Sequence, residues 1–318
     1  MKHVLSIADL GSRNLSELVN QGVAMANANG RLRRVLEGKV VGIFFRGTST
    51  RTRTAFTVAA GRLGAQTINY GPHDLQLTTG ESIEDTASVL SGCIDILVVR
   101  TNGDLAEMKA LASQDEMSVV NAMSDNEHPT QAITDLITLK EAFGHLDGLH
   151  VLYIGEGNNT AASLALAVAL TPGMRLTLIT PEGYGLQQDI LETSQRLAAQ
   201  HASVVRQHHR IDQLPSDVDA VYTTRWQTMG VPKADPDWLT KFAPYQITPE
   251  IMARASKSSR TIFLHDLPAI RGQEVVDEVF DGPQSVTFRQ ARHKLTGALS
   301  VLAWLTTAGE IKQLEARV

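Results

Sequence analysis

The segment FFRGTSTRTRTAF, Phe44 to Phe56, runs from an apolar stretch into alternating hydroxyls and guanidiniums. Ser49, Thr50, Arg51, Thr52 and Arg53 follow one another without a break. A helix starting there aims backbone N–H groups, hydroxyls and guanidiniums at one point, which is a donor set for an anion such as phosphate. A polar turn with solvated arginines is the competing reading. The segment is not a Walker A loop, which needs G-x-x-x-x-G-K-[ST].

Further polar groups follow other apolar runs. In EHPTQAITD, His128 and Gln131 stand at i and i+3, so they share one helix face and either can hydrogen-bond a carbonyl oxygen or cap the helix. Arg100 closes IDILVVR, at the carboxyl end of a strand, where ligands bind in parallel sheets. IGEGNNTAAS has Gly155 and Gly157 but Thr160 in place of a third glycine, so it fails the dinucleotide fingerprint and offers an asparagine pair to a polar ligand instead. YTTRWQTMG presents Arg225, Gln227 and Thr228; Arg225 either holds a carboxylate or lies on the surface. HDLPAIRG places a carboxylate, Asp266, directly after the run TIFL and beside His265.

These groups need a scaffold of strands and helices. Short apolar runs lie at 39–45, 66–70, 94–100, 117–123, 150–155, 175–180, 219–224 and 260–265. Helix-length segments separate them, among them RTAFTVAAGRLG, SIEDTASVLSG and TQAITDLITLKEAF. Parallel strands covered on both faces give such a pattern, so the fold class is α/β. A boundary is expected in KEAFGHLDGLH, 140–150, between a first domain of residues 1–145 and a second of 146–294. The segment 295–316 has helical spacing and is expected to pack back on the first domain, so that 295–318 completes it.

The chain has 318 residues with a net charge of −5, which suits two domains and gives no basic footprint for nucleic acid. Its one cysteine, Cys93, allows no intrachain disulfide and is expected to be a buried small hydrophobe. No apolar run approaches the ~20 residues that span a bilayer. The opening MKHVLSIADL lacks the apolar core of a signal peptide, so a cytoplasmic location is expected.

Together STRTR, the RT at 100–101, HPTQ, GEGNN, TMG, HDLP and GPQSVTFRQA resemble the aspartate/ornithine carbamoyltransferases, in family order and over essentially the whole chain. The ornithine branch is the nearer one. The resemblance implies two doubly wound parallel-sheet domains linked by long helices, one for carbamoyl phosphate and one for the amine acceptor. It also implies a homotrimer with shared active sites. The phosphate would lie on Ser49, Thr50, Arg51 and Thr52, and the carbamoyl group on Arg100, His128 and Gln131. Gln76 would reach a neighbouring subunit's site. Asn159, Thr224, Arg225, Gln227, Thr228, Met229, Asp266 and Leu267 would face the acceptor. Arg51, Arg100, His128 and Asp266 are the candidate catalytic residues. The reaction needs no cofactor, metal or covalent nucleophile.

The sequence departs from the family pattern at four places. Asp266 replaces the cysteine of HCLP. Thr224 stands where an aspartate meets the acceptor's α-amino group, and Thr228 stands for serine. Lys294 replaces an arginine and would complete the donor site with less directional geometry. TTGE replaces GRGE. The neighbouring TTRWQ is similar to TRVQ of the aspartate branch, whose arginine holds a substrate carboxylate. The expected donor is therefore carbamoyl phosphate, and the expected acceptor a non-standard diamino acid such as 2,3-diaminopropionate. Ornithine and a catalytically silent binding role are the alternatives. Asp266 would bind the acceptor, take its proton, or fix His265.

Overall fold

A computed structural model of the chain describes residues 1–28, 32–227 and 232–315. The chain divides into two units, Met1–Ile137 with His293–Val318, and Thr138–Arg292.

Unit 1 opens with α1 (Ile7–Asn27), whose first turn is capped by the Ser6 hydroxyl and which is interrupted at Gly11, where φ is +70°. Then follow β1 (Val40–Phe45), α2 (Thr50–Arg62), β2 (Gln66–Tyr70), α3 (Ile83–Ser91), β3 (Ile96–Arg100), α4 (Leu105–Leu111), β4 (Ser118–Met123) and α5 (Pro129–Phe143), which runs on into unit 2. The sheet has the order β2-β1-β3-β4, with every pair parallel. β1, β3 and β4 are almost wholly buried, as their apolar runs require.

Unit 2 contains β5 (His150–Ile154), α6 (Asn159–Ala169), β6 (Arg175–Ile179), α7 (Gln188–Gln200), β7 (Val204–His208), β8 (Ala220–Thr223), α8 (Trp238–Phe242), α9 (Pro249–Ala255), β9 (Ile262–His265) and α10 (Asp277–Phe280). Its parallel sheet has the order β7-β6-β5-β8-β9. α11 (Thr287–Glu315) begins here, and from His293 onward it belongs to unit 1. There it lies against α1, with the Ser300 hydroxyl donating to the Leu18 carbonyl at 2.6 Å.

Both sheets are doubly wound. The strand order reverses between β1 and β3 in unit 1 and between β5 and β8 in unit 2. In such sheets ligands bind beyond the carboxyl ends of the strands at the reversal. Residues 46–49 and Arg100 leave those ends in unit 1, and 155–158 and 224–227 leave them in unit 2.

Two expectations need correction. Cys93 is exposed, not buried. It sits in the turn after α3, where its N–H bonds the Leu90 carbonyl, and the buried run starts one residue later at Ile94. β7 was not among the expected strands, because Arg206, Gln207 and His208 break its apolar run at the sheet edge. No described helix is long and apolar enough to cross a membrane.

Candidate active site

In unit 1 the first cluster forms at the start of α2. Ser49 is its N-cap, yet makes no side-chain cap bond, and the first turn carries no acidic residue. The first turn thus carries the exposed Thr50 and the half-buried Ser49 and Arg51, while Thr52 is buried. The neighbouring arginines point elsewhere. Arg46 makes a two-pronged ion pair with Glu107 at 2.8 and 3.1 Å. Arg53 donates to the Phe45 carbonyl at 3.4 Å, with its guanidinium over the Phe45 ring.

Arg100 closes β3 at the adjacent strand end and is buried. The pairing of β3 with β4 shifts register between Val99 and Arg100, an irregularity that re-aims a strand-end side chain. His128 precedes α5 and is buried too. Burial, then the charges of Arg100 and Lys294, hold its imidazole well below the ordinary histidine range. The ring is therefore neutral near pH 7. The unfolded chain takes up that proton before the folded one, so this group's contribution to stability is full above about pH 6.5 and falls away as pH drops below it.

Gln131 is 1% exposed and bonded on both sides of its amide. Its Nε2 donates to Asp135 at 2.7 Å, and its Oε1 accepts from the Lys294 ammonium on α11. Arg100, His128, Gln131 and Lys294 thus form one cationic, donor-rich cluster. Gln76 is exposed, with its Oε1 accepting from the Thr79 hydroxyl at 2.7 Å.

In unit 2 the turn between β5 and α6 carries Glu156, Gly157 and Asn158. Gly157 is tightly placed: an added methyl would overlap the backbone of Gly185 and Leu186. Asn158 caps α6, accepting from Thr160 and Ala161, and its amide donates to the Thr224 hydroxyl at 3.0 Å. Thr224 lies 2.9 Å from the Tyr153 hydroxyl, which donates to the Glu156 carbonyl at 2.6 Å. With that proton placed, one chain of donors runs from Asn158 through Thr224 and Tyr153 to Glu156. The Thr224 hydroxyl is thereby held inside the fold. Asn159 is buried at the start of α6.

Arg225 and Gln227 follow β8 and are half-buried. The Arg225 Nε is buried and has no hydrogen-bond acceptor among the described residues. Thr228 and Met229 lie outside the described residues.

His265 ends β9, and Asp266 and Leu267 follow it. His265 Nδ1 accepts from the Leu267 N–H at 2.9 Å, so the ring proton belongs on Nε2, which donates to Glu274 at 3.1 Å. Glu274 also takes the Ile270 N–H at 2.6 Å. His265 is thus fixed without Asp266, whose Oδ1 stays 3.6 Å from a ring nitrogen already engaged. Asp266 is 16% exposed in its side chain, and its Oδ2 accepts from the Thr160 hydroxyl at 3.1 Å. Leu267 has φ of +60°, uncommon outside glycine, and this turns the chain sharply at the strand end.

Tyr153, Glu274 and the pair Glu156–Lys233 are not apparent from the sequence, and Thr160 appears there only as a missing glycine. Lys233 is 7% exposed in its side chain, ion-paired to Glu156, and lies 4.9–5.5 Å from the ring centres of Tyr184, Phe242 and Trp238. Burial raises the Glu156 pKa and the lysine opposes that shift. Replacing Lys233 by Met leaves a largely dehydrated carboxylate without its partner. The expected loss is about 3–5 kcal/mol of unfolding free energy in urea. A loss below about 1 kcal/mol would mean that water screens the pair.

Residues 2–141 match the family profile "Aspartate/ornithine carbamoyltransferase, carbamoyl-P binding domain", and residues 147–305 match "Aspartate/ornithine carbamoyltransferase, Asp/Orn binding domain". The chain is 38% identical over 308 residues to an ornithine carbamoyltransferase of Methanothermobacter thermautotrophicus, covering 96% of this chain and 99% of that one. It is 36% identical to that of Nostoc punctiforme over 95% of this chain and 96% of the relative. The structure of ornithine carbamoyltransferase from Pyrococcus furiosus superposes with a TM-score of 0.89 at 32% identity, covering 96% and 97% of the two chains. An α2 terminus without an acidic residue in its first turn, a neutral histidine among cations and two doubly wound sheets agree with these matches: the chain belongs to the aspartate/ornithine carbamoyltransferase family and is a carbamoyltransferase.

Proposed function

We propose that the chain moves the carbamoyl group of carbamoyl phosphate onto an amine of a short diamino acid such as 2,3-diaminopropionate, releasing phosphate. It does so as a cytoplasmic homotrimer, in which the exposed Gln76 serves a neighbouring subunit's site. Unit 1 supplies the donor half. Ser49, Thr50, Arg51 and Thr52 hold the phosphate, and Arg100, His128 and Gln131 the carbamoyl group, with Lys294 beside them. As the amine attacks, negative charge grows on the carbonyl oxygen and on the departing phosphate. Fixed donors at both positions lower the barrier because they need no reorganisation. A neutral His128 suits this role, since it donates a hydrogen bond without needing to be charged.

Unit 2 supplies the acceptor half, around Asn159, Thr224, Arg225, Gln227, Thr228, Met229, Asp266 and Leu267. One observation carries the choice of acceptor: the buried Arg225 Nε–H has no acceptor among the described residues, while Asp266 presents a carboxylate after the neighbouring strand. Arg225 comes two residues after Thr223 and Asp266 one after His265, and Thr223 and His265 are paired across β8 and β9. Side chains that leave adjacent strand ends can meet the two charged ends of one small zwitterion. Arg225 takes its carboxylate and Asp266 its non-reacting ammonium. Asp266 is not assigned as the base, because carboxylates are about six pKa units less basic than alkylamines.

Ornithine is the second reading, favoured by the names of the relatives. Phosphate release from carbamoyl phosphate, measured with a panel of diamino acids of increasing length, decides between them. Turnover of 2,3-diaminopropionate at least tenfold above ornithine supports the short acceptor. A clear preference for ornithine removes it. Donor binding without turnover for any amine would point to a silent homologue. Light scattering of the purified chain tests the trimer.

A further inference from the structure

We infer that Asp135 is a positioning residue for the donor: it fixes which face of the Gln131 amide meets the carbamoyl NH2. The inference rests on the reading above in which Gln131 holds the carbamoyl group. Asp135 is fully buried on α5, one turn after Gln131, and accepts from Gln131 Nε2 at 2.7 Å. Lys294 donates to Gln131 Oε1 from the other side.

The two ends of a glutamine amide look alike in shape, but their chemistry is opposite. An ammonium only donates and an ionised carboxylate only accepts. The chain from Lys294 through Gln131 to Asp135 therefore has one consistent direction, with Oε1 toward Lys294 and Nε2 toward Asp135. Oε1 has two lone pairs, and Lys294 takes one. The second is an acceptor suited to the NH2 of a carbamoyl group.

Without Asp135 the Gln131 NH2 would be buried without a partner on that side. Lys294 would then hold the amide alone, at Oε1, and the released NH2 would be drawn toward other acceptors, turning the second Oε1 lone pair away from the carbamoyl NH2. Asp135 thereby gives the site its ability to tell a carbamoyl from an acetyl group. Acetyl phosphate has the same carbonyl and phosphate, but a methyl group in place of NH2. It gains nothing from a correctly turned amide.

The test uses full-length protein carrying Asp135→Leu, Asp135→Asn or Gln131→Ala. For each, the KM for carbamoyl phosphate is compared with the inhibition constants of acetyl phosphate and inorganic phosphate. D135L should raise the carbamoyl phosphate KM at least tenfold and leave both inhibition constants within about twofold. D135N keeps an acceptor oxygen for Gln131 and should stay within about threefold of the parent. D135A replaces D135L if the leucine variant does not fold, with the same expected selectivity loss. Equal weakening of all three ligands by D135L, or loss of selectivity in D135N, overturns the inference. If Q131A loses selectivity while D135L or D135A does not, Asp135 has no positioning role and the reading of Gln131 stands. If Q131A itself keeps the parental selectivity, Gln131 does not grip the carbamoyl group and both statements fall.

Discussion

Replacing Arg51 by alanine is expected to lower kcat by about 10²–10³-fold, the usual effect of removing one fixed donor from a developing charge. The reason lies in its neighbours as much as in Arg51. Two other arginines flank the turn, but Arg46 is bound to Glu107 and Arg53 turns back over Phe45. Neither can take over the phosphate without breaking an existing contact. Arg51→Lys should recover only part of the loss, because a lysine offers a point charge where the guanidinium offers a fork. The KM for carbamoyl phosphate should rise in both variants, while stability in urea changes little, since Arg51 is half-buried at a helix start. A kcat within about tenfold of the parent for R51A would place the phosphate elsewhere.

Asp266→Cys is expected to reverse the order of acceptors. The carboxylate is anchored through Oδ2 by Thr160, at the start of an 11-residue helix whose amino end favours negative charge. Its remaining oxygen is an acceptor for a substrate ammonium. A hydrogen bond to a charged group contributes about 1.5–3 kcal/mol, so its loss should reduce kcat/KM for the short diamino acid by roughly 10- to 100-fold. Ornithine should lose less or gain. Parameters for carbamoyl phosphate should hold, because Asp266 belongs to the other unit. His265 should hold too, since Glu274 and the Leu267 N–H fix it. An unchanged acceptor order in D266C would mean that Asp266 serves only to cap its neighbour Thr160.

The sequence showed the core strands because burial on both faces leaves an unbroken apolar run, as in Val40–Phe45 and Ile96–Arg100. It hid β7, where an edge position allows Arg206, Gln207 and His208 to follow only two valines. It hid α1 as well, since Gly11 interrupts the helix and with it the periodicity. STRTR and HPTQ were legible because they are local motifs that stand at the starts of two helices. The network joining Asn158, Thr224 and Tyr153 was not, because its members are up to 71 residues apart and meet only once β5 and β8 pair. Lys294 was legible as a position, but its bond to Gln131 spans 163 residues and required the fold.

The interleaving of unit 1 bears on how the chain is made. Domains tend to fold as units during synthesis, in the order in which they leave the ribosome. Unit 2 is one continuous stretch, so its residues are all present once Arg292 has emerged. Unit 1 cannot close until the segment from His293 arrives, because Ser300 bonds α1 and Lys294 bonds Gln131. The half of the protein synthesised first is therefore finished last. Its donor cluster remains without Lys294 until α11 has been made.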